Sequence, residues 1–146
     1  MTEIAFHFNA PDKLAYACRL LRKAVGQGVR VAVTADAALL RALDQSLWTF
    51  APLEFIAHCT VLGQGTADPV MVQASPVVLV AEATLSPHQQ VLVNLGGDVP
   101  PGFERFERVI EVVSQADQDR QDARQRWRHY ADRGYAIQRH DLALKE

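Results

Sequence analysis

Ile4, Phe6 and Phe8 recur at every second position of Glu3–Phe8, a period that predicts a strand with one apolar face. Asn9-Ala10-Pro11-Asp12 breaks it, and either Asn9 or Asp12 can cap the helix that follows. On that helix Leu14, Ala17, Cys18, Leu21, Ala24 and Val25 recur at three and four, with Lys13, Arg19, Arg22 and Lys23 on the wet side and Gly26 and Gly28 at its end. Val29–Val33 reads as a second strand. Thr34 or Asp36 then caps a second helix whose apolar stripe is Leu39, Leu40, Leu43 and Leu47. Further on, Val70-Met71-Val72 reads as a short edge strand, and Val77–Val80 and Val91–Leu95 as strands buried on both faces. Another strand is expected over Arg108–Val113. Ser114 is expected to cap a long last helix, with acids in its first turns and arginines later, closed by Gly134.

Successive strand–helix pairs favour parallel strands joined by crossover helices, so the expected fold is a three-layer α/β domain with a mostly parallel sheet. The 146 residues fit one domain, 1–146, and 49% apolar content excludes intrinsic disorder. No apolar run reaches the length of a membrane span, and the start lacks a signal-peptide pattern, so a cytoplasmic location is expected. A formal net charge of −2 argues against wholesale nucleic-acid binding but leaves room for a local basic patch. Two cysteines, Cys18 and Cys59, suit a reducing compartment. His58-Cys59 lacks a second pair at zinc spacing, so no metal site is expected.

The enzyme signatures of such sheets are missing. Phe8 is followed by Asn9-Ala10-Pro11-Asp12 with no glycine to admit a phosphate, and neither dinucleotide nor P-loop fingerprints occur. No G-x-S-x-G elbow occurs either. No cofactor and no catalytic residue is therefore expected. A small nucleotide-binding enzyme is the alternative that a thermal-shift screen would reveal.

Two segments look like binding surfaces. Around Leu43–His58, Trp48, Phe50 and Phe55 crowd a helix end and the loop after it, where aromatics either plug a core or anchor a partner. On the last helix, helical spacing aligns Ala116, Arg120, Ala123, Trp127 and Ala131, with Arg124 and Arg128 to one side and Tyr130 on the other. A tryptophan among three arginines suits a ligand with one apolar end and several carboxylates. The plainer reading packs Trp127 on the sheet and pairs the arginines with Asp117, Asp119 and Asp122. Single-stranded DNA stacked on Trp127 is a third reading.

At these segments the chain resembles the chi subunit of bacterial DNA polymerase III holoenzyme. The resemblance runs through nearly the whole length. It is carried by Leu43-Asp44-x-x-Leu47-Trp48-Thr49-Phe50, Phe55-Ile56-Ala57-His58, Gly102-Phe103 with Phe106-Glu107-Arg108-Val109-Ile110, and Ala123-Arg124-x-Arg126-Trp127-Arg128 with Gly134. It implies a Rossmann-like fold without a nucleotide site and a non-catalytic accessory subunit. The expected partners are the psi subunit of the clamp loader and the acidic, apolar-ended C-terminal tail of single-stranded-DNA-binding protein. Contact with nucleic acid is then mainly indirect. The resemblance assigns Trp48 and Phe55 to the surface for psi or a competing helicase, and Val113, Arg120, Arg124, Trp127 and Arg128 to the tail. Ala57 stands where proline is common, and the C-terminal end lacks the usual aromatic finish.

Overall fold

The computed structural model describes residues 2–49, 57–63 and 68–144. Among these residues seven strands form one sheet: β1 (Glu3–Ala10), β2 (Val31–Thr34), β3 (His58–Val61), β4 (Val77–Val80), β5 (Val91–Asn94), β6 (Arg108–Ser114) and β7 (Ile137–Asp141). Their spatial order is β3-β4-β2-β5-β6-β1-β7, and every pairing is parallel. The helices are α1 (Lys13–Gly26), α2 (Ala37–Thr49), α3 (Pro69–Ala74) and α4 (Asp117–Asp132).

Alternation along the strands divides the core in two. Val31, Val33, Leu79, Val93 and Ile110 face α1 and α2, where they meet Ala17, Cys18, Leu21, Leu40 and Leu43. Ile4, Phe6, Val78, Leu92, Val109 and Val113 face the other way, toward α3, α4 and the turn carrying Phe103. Each fully buried side chain of this kind is worth about 1.5–3 kcal/mol against exposure. The result is the expected three-layer α/β arrangement.

The helix starts follow side-chain chemistry. Asp12, not Asn9, caps α1, its Oδ1 accepting from the Ala15 N–H at 3.1 Å. Asn9 instead takes a positive φ of 64° where β1 slips register between His7 and Ala10. Asp36 accepts from the Leu39 N–H at 2.8 Å at the start of α2.

Three expectations are corrected. Val70-Met71-Val72 lies in α3, not in a strand, because Asp68 accepts from the Val70 N–H at 2.9 Å and Pro69 opens the first turn. The cap of α4 is Ala116, not Ser114; Ser114 sits outside the helix, and its N–H donates to Asp119 Oδ2 at 2.7 Å. The sheet also gains β3 and β7, which close its two edges and which hydrophobic patterning did not predict.

Candidate binding notch on the last helix

The position of α4 is set by a buried charge. Glu111 lies mid-strand in β6, fully buried, on the face toward α4. Its Oε1 accepts from Arg126 Nε at 2.9 Å and its Oε2 from the Tyr130 hydroxyl at 2.6 Å. Asn94 Nδ2, opposite it on β5, donates at 2.9 and 3.2 Å. Burial pushes the Glu111 carboxyl up from its ordinary range, while the Arg126 charge and the Tyr130 and Asn94 hydrogen bonds favour the ionised form. Tyr130 is likewise raised, by burial first and then by the Glu111 charge. Arg126 Nη1 also donates to the Gly97 carbonyl at 2.9 Å.

This network corrects the expected phase of the helix. Ala123, Arg126 and Tyr130 are its buried residues, so Arg126, unlike Arg124 and Arg128, faces the sheet together with Tyr130. With those three inward, Trp127 lands half-buried at the margin, and Arg120, Arg124 and Arg128 are exposed.

Beside that margin lies an open notch of about 500 Å³, lined by Phe6, Phe8, Val113, Arg120, Ala123, Arg124, Trp127, Arg128 and Arg139. The structure thus brings together Val113, Arg120, Arg124, Trp127 and Arg128 around one cavity. The floor is apolar. Phe6 and Trp127 pack at 5.1 Å between ring centroids with a 51° tilt, and Val113 lies one residue before the end of β6. Phe6, Phe8 and Arg139 were not singled out from sequence as site residues. The period-two pattern of β1 did contain a signal for the first two, because it placed Phe6 and Phe8 on the same face. Arg139 comes in from β7, where it sits in register with Phe6. Its guanidinium carbon lies 5.4 Å from the Phe8 ring centroid and 5.9 Å from that of Trp127.

The four arginines have no acidic partner among the described residues. Asp119 pairs instead with Lys13 Nζ at 2.8 Å, and Asp122 accepts from Gln118 Nε2 at 2.9 Å. The rival arrangement, with the arginines neutralised by Asp117, Asp119 and Asp122, is not what forms. Burial pushes Asp119 up, but hydrogen bonds from Lys13 and the Ser114 N–H outweigh it and hold the carboxyl below its usual range. The Lys13 ammonium also donates to the Leu95 carbonyl at 3.0 Å. An ion pair therefore occupies the crest beyond the carboxyl ends of β5, β6 and β1, the place where open α/β sheets bind ligands.

Trp48 is far from this notch in the fold, at the end of α2. It is 56% exposed, and its ring lies 4.9 Å from that of His58, whose Nε2 is 2.7 Å from Asp44 Oδ1. Phe55, with Phe50 and Pro52, lies outside the described residues. Cys18 and Cys59 have thiols raised by burial and, next, by nearby aspartate charge, which disfavours the thiolate a nucleophile needs. Among the described residues no group of three or more His, Cys, Asp or Glu could hold a metal ion, and no helix is long and apolar enough to cross a membrane.

Comparison with known proteins adds a family. Residues 1–138 match the family model described as DNA polymerase III chi subunit, HolC. A Pseudomonas aeruginosa protein named DNA polymerase III subunit chi is 36% identical over 147 residues, covering 97% of this chain and 98% of the relative. A Haemophilus influenzae protein of the same name is 25% identical over 122 residues, covering 83% and 81%.

Proposed function

The chain belongs to the DNA polymerase III chi subunit family, and from that footing we propose that it is a non-catalytic tether between the clamp loader and coated single-stranded template. In this reading the notch on α4 captures the acidic C-terminal tail of single-stranded-DNA-binding protein. The observation that carries the reading is four exposed arginines without acidic partners among the described residues, set around an aromatic and aliphatic floor. An apolar end residue of the tail is buried against Phe6, Phe8, Val113 and Trp127, while Arg120, Arg124 and Arg128 meet its carboxylates along the helix. Three arginines at intervals of four lie about one turn apart, roughly 6 Å in rise, so each reaches a different part of an extended acidic segment.

A contact this small has an affinity on the order of micromolar and weakens with salt. Fixing the chain to the clamp loader raises its effective concentration at the fork. The psi subunit is the partner for the Trp48 surface, which lies on α2 and leaves the notch free; a helicase that competes for Trp48 belongs to the same reading. Direct stacking of a DNA base on Trp127 is disfavoured by the formal net charge of −2 over the whole chain.

The test is a titration of a labelled acidic tail peptide into wild type and Arg124→Ala at low and high salt. Binding by wild type that falls with salt and is weakened in the variant supports the site. Equal binding by both proteins removes it, and tight binding to bare oligonucleotide replaces the tether with a DNA-binding role.

A further inference from the structure

We infer that Asp44 and His58 are positioning residues for Trp48: together they hold its indole ready for the partner that docks at the end of α2. This rests on the reading above that Trp48 belongs to the surface for psi. Asp44 and Trp48 are four residues apart on α2, so their side chains stand one turn apart on the same face. His58 opens the edge strand β3 in register with Val77 of β4. Val77 belongs to the core on the α2 side, so His58 turns toward α2 as well. Its imidazole reaches both helix residues. Nε2 lies 2.7 Å from Asp44 Oδ1, and the ring centroid lies 4.9 Å from that of Trp48 at a tilt of 54°.

Exposure separates the three roles. The His58 side chain is 1% exposed and that of Asp44 39%, whereas Trp48 is 56% exposed. An imidazole buried this deeply at a strand end costs more than an aliphatic side chain would, unless its nitrogens find partners. Asp44 supplies one for Nε2, and a directional hydrogen bond at the ring edge restrains how the ring turns. Asp44, more than one-third exposed, has no need of His58 to stay solvated, so core packing alone does not account for the pair. What rests on the restrained ring is an indole at the next-to-last residue of α2, in the turn where helices fray. A large aromatic left loose there has to be ordered at every docking event. One already packed against a fixed ring loses less freedom, and a buried aromatic anchor is the kind of residue on which an interface depends most.

The experiment takes two readouts on the full chain: the ¹⁵N heteronuclear NOE of each indole N–H in the free protein, and affinity for psi by calorimetry. Asp44→Ala and Asp44→Leu remove the group that meets Nε2, whereas Asp44→Asn keeps an amide of the same reach. The NOE of the Trp48 indole is expected to fall in the first two variants and to hold in Asp44→Asn, with the Trp127 indole unmoved in all three as the control for folding. Affinity for psi is expected to weaken about fivefold in Asp44→Ala and Asp44→Leu, the scale of one side chain left to be ordered on binding, and to stay within about twofold in Asp44→Asn. An equally ordered Trp48 indole in wild type and Asp44→Ala would show that the pair does not hold the ring. A loosened indole with unchanged affinity would show that its order plays no part in docking. If psi does not bind wild type at all, the reading of the Trp48 surface has failed, and the NOE comparison still decides whether Asp44 and His58 position the ring.

Discussion

Glu111 Oε1 and Arg126 Nε are 2.9 Å apart, in a pair whose side chains are 0% and 2% exposed. The pair links β6 to α4 and fixes the rotation of the helix. Because Arg126 points inward, Arg124 and Arg128, two residues to either side, point out, and Trp127 is left at the lip of the notch. The notch and the outward arginines beside it are thus a consequence of where one buried carboxylate finds its cation.

Removing one member leaves the other charged and buried, a loss of about 3–5 kcal/mol. Arg126→Met is expected to lower unfolding free energy in urea by that amount. Arg128→Met, at an exposed position on the same helix, is expected to stay within about 0.5 kcal/mol of wild type. Similar losses in the two variants would mean that the network does not anchor α4.

Asp119 makes the acid limb of stability steeper. Its carboxyl is held below its ordinary range in the folded chain, so its contribution is present above the unfolded value of about 3.9 and is lost as pH falls through the lower folded value. Asp119→Asn is expected to be about 1 kcal/mol less stable than wild type above about pH 5, with the gap closing as the solution is acidified below about pH 4. Denaturation curves at stepped pH check this. A gap that stays constant down to pH about 3 would contradict it.

In the proposed site Trp127 is expected to contribute area and a platform, not hydrogen bonding. Trp127→Ala is expected to weaken the acidic peptide about tenfold, or about 1.4 kcal/mol, whereas Trp127→Tyr retains an aromatic wall and stays within about threefold. Equal losses in the two variants, measured by calorimetry, would show that the ring's aromatic character is not what matters.

The two surfaces are expected to act independently. Trp48→Ala should abolish capture of psi, since an exposed aromatic is a strong anchor, while leaving peptide affinity and thermal stability within error. Co-purification with psi alongside peptide titration tests both halves. Loss of peptide binding in this variant would show that the surfaces are coupled.

Much of this was legible in the sequence where burial imposes a period. β1, β2, β4, β5 and β6 carry unbroken or alternating apolar runs, and α1 and α2 show apolar stripes with aspartate caps. β7 was not legible: Ile137-Gln138-Arg139-His140-Asp141 lies at a sheet edge with no residue fully buried, so no hydrophobic period marks it. β3, His58-Cys59-Thr60-Val61, is four residues long and at the other edge, with only Val61 buried. In α3 the β-branched Val70 and Val72 favoured a strand, although Asp68-Pro69 carried the helix-start signal that prevails in the fold. The aromatic among arginines was visible on α4, but nothing in the helix's own pattern set Arg126 apart from the other arginines of its later turns. The clue lay elsewhere in the chain, in Glu111 standing within Val109-Ile110-Glu111-Val112-Val113, because a carboxylate inside a buried strand must find a partner.

The chain has two tryptophans, Trp48 and Trp127, so the indole N–H region of its amide NMR spectrum holds one reporter for each proposed surface. Titration with the free-acid acidic peptide should shift the Trp127 indole resonance and the Val113 and Ala123 amides in a saturable way, and leave the Trp48 indole in place. A saturable shift at Trp48 with Trp127 unmoved would contradict the account at its centre.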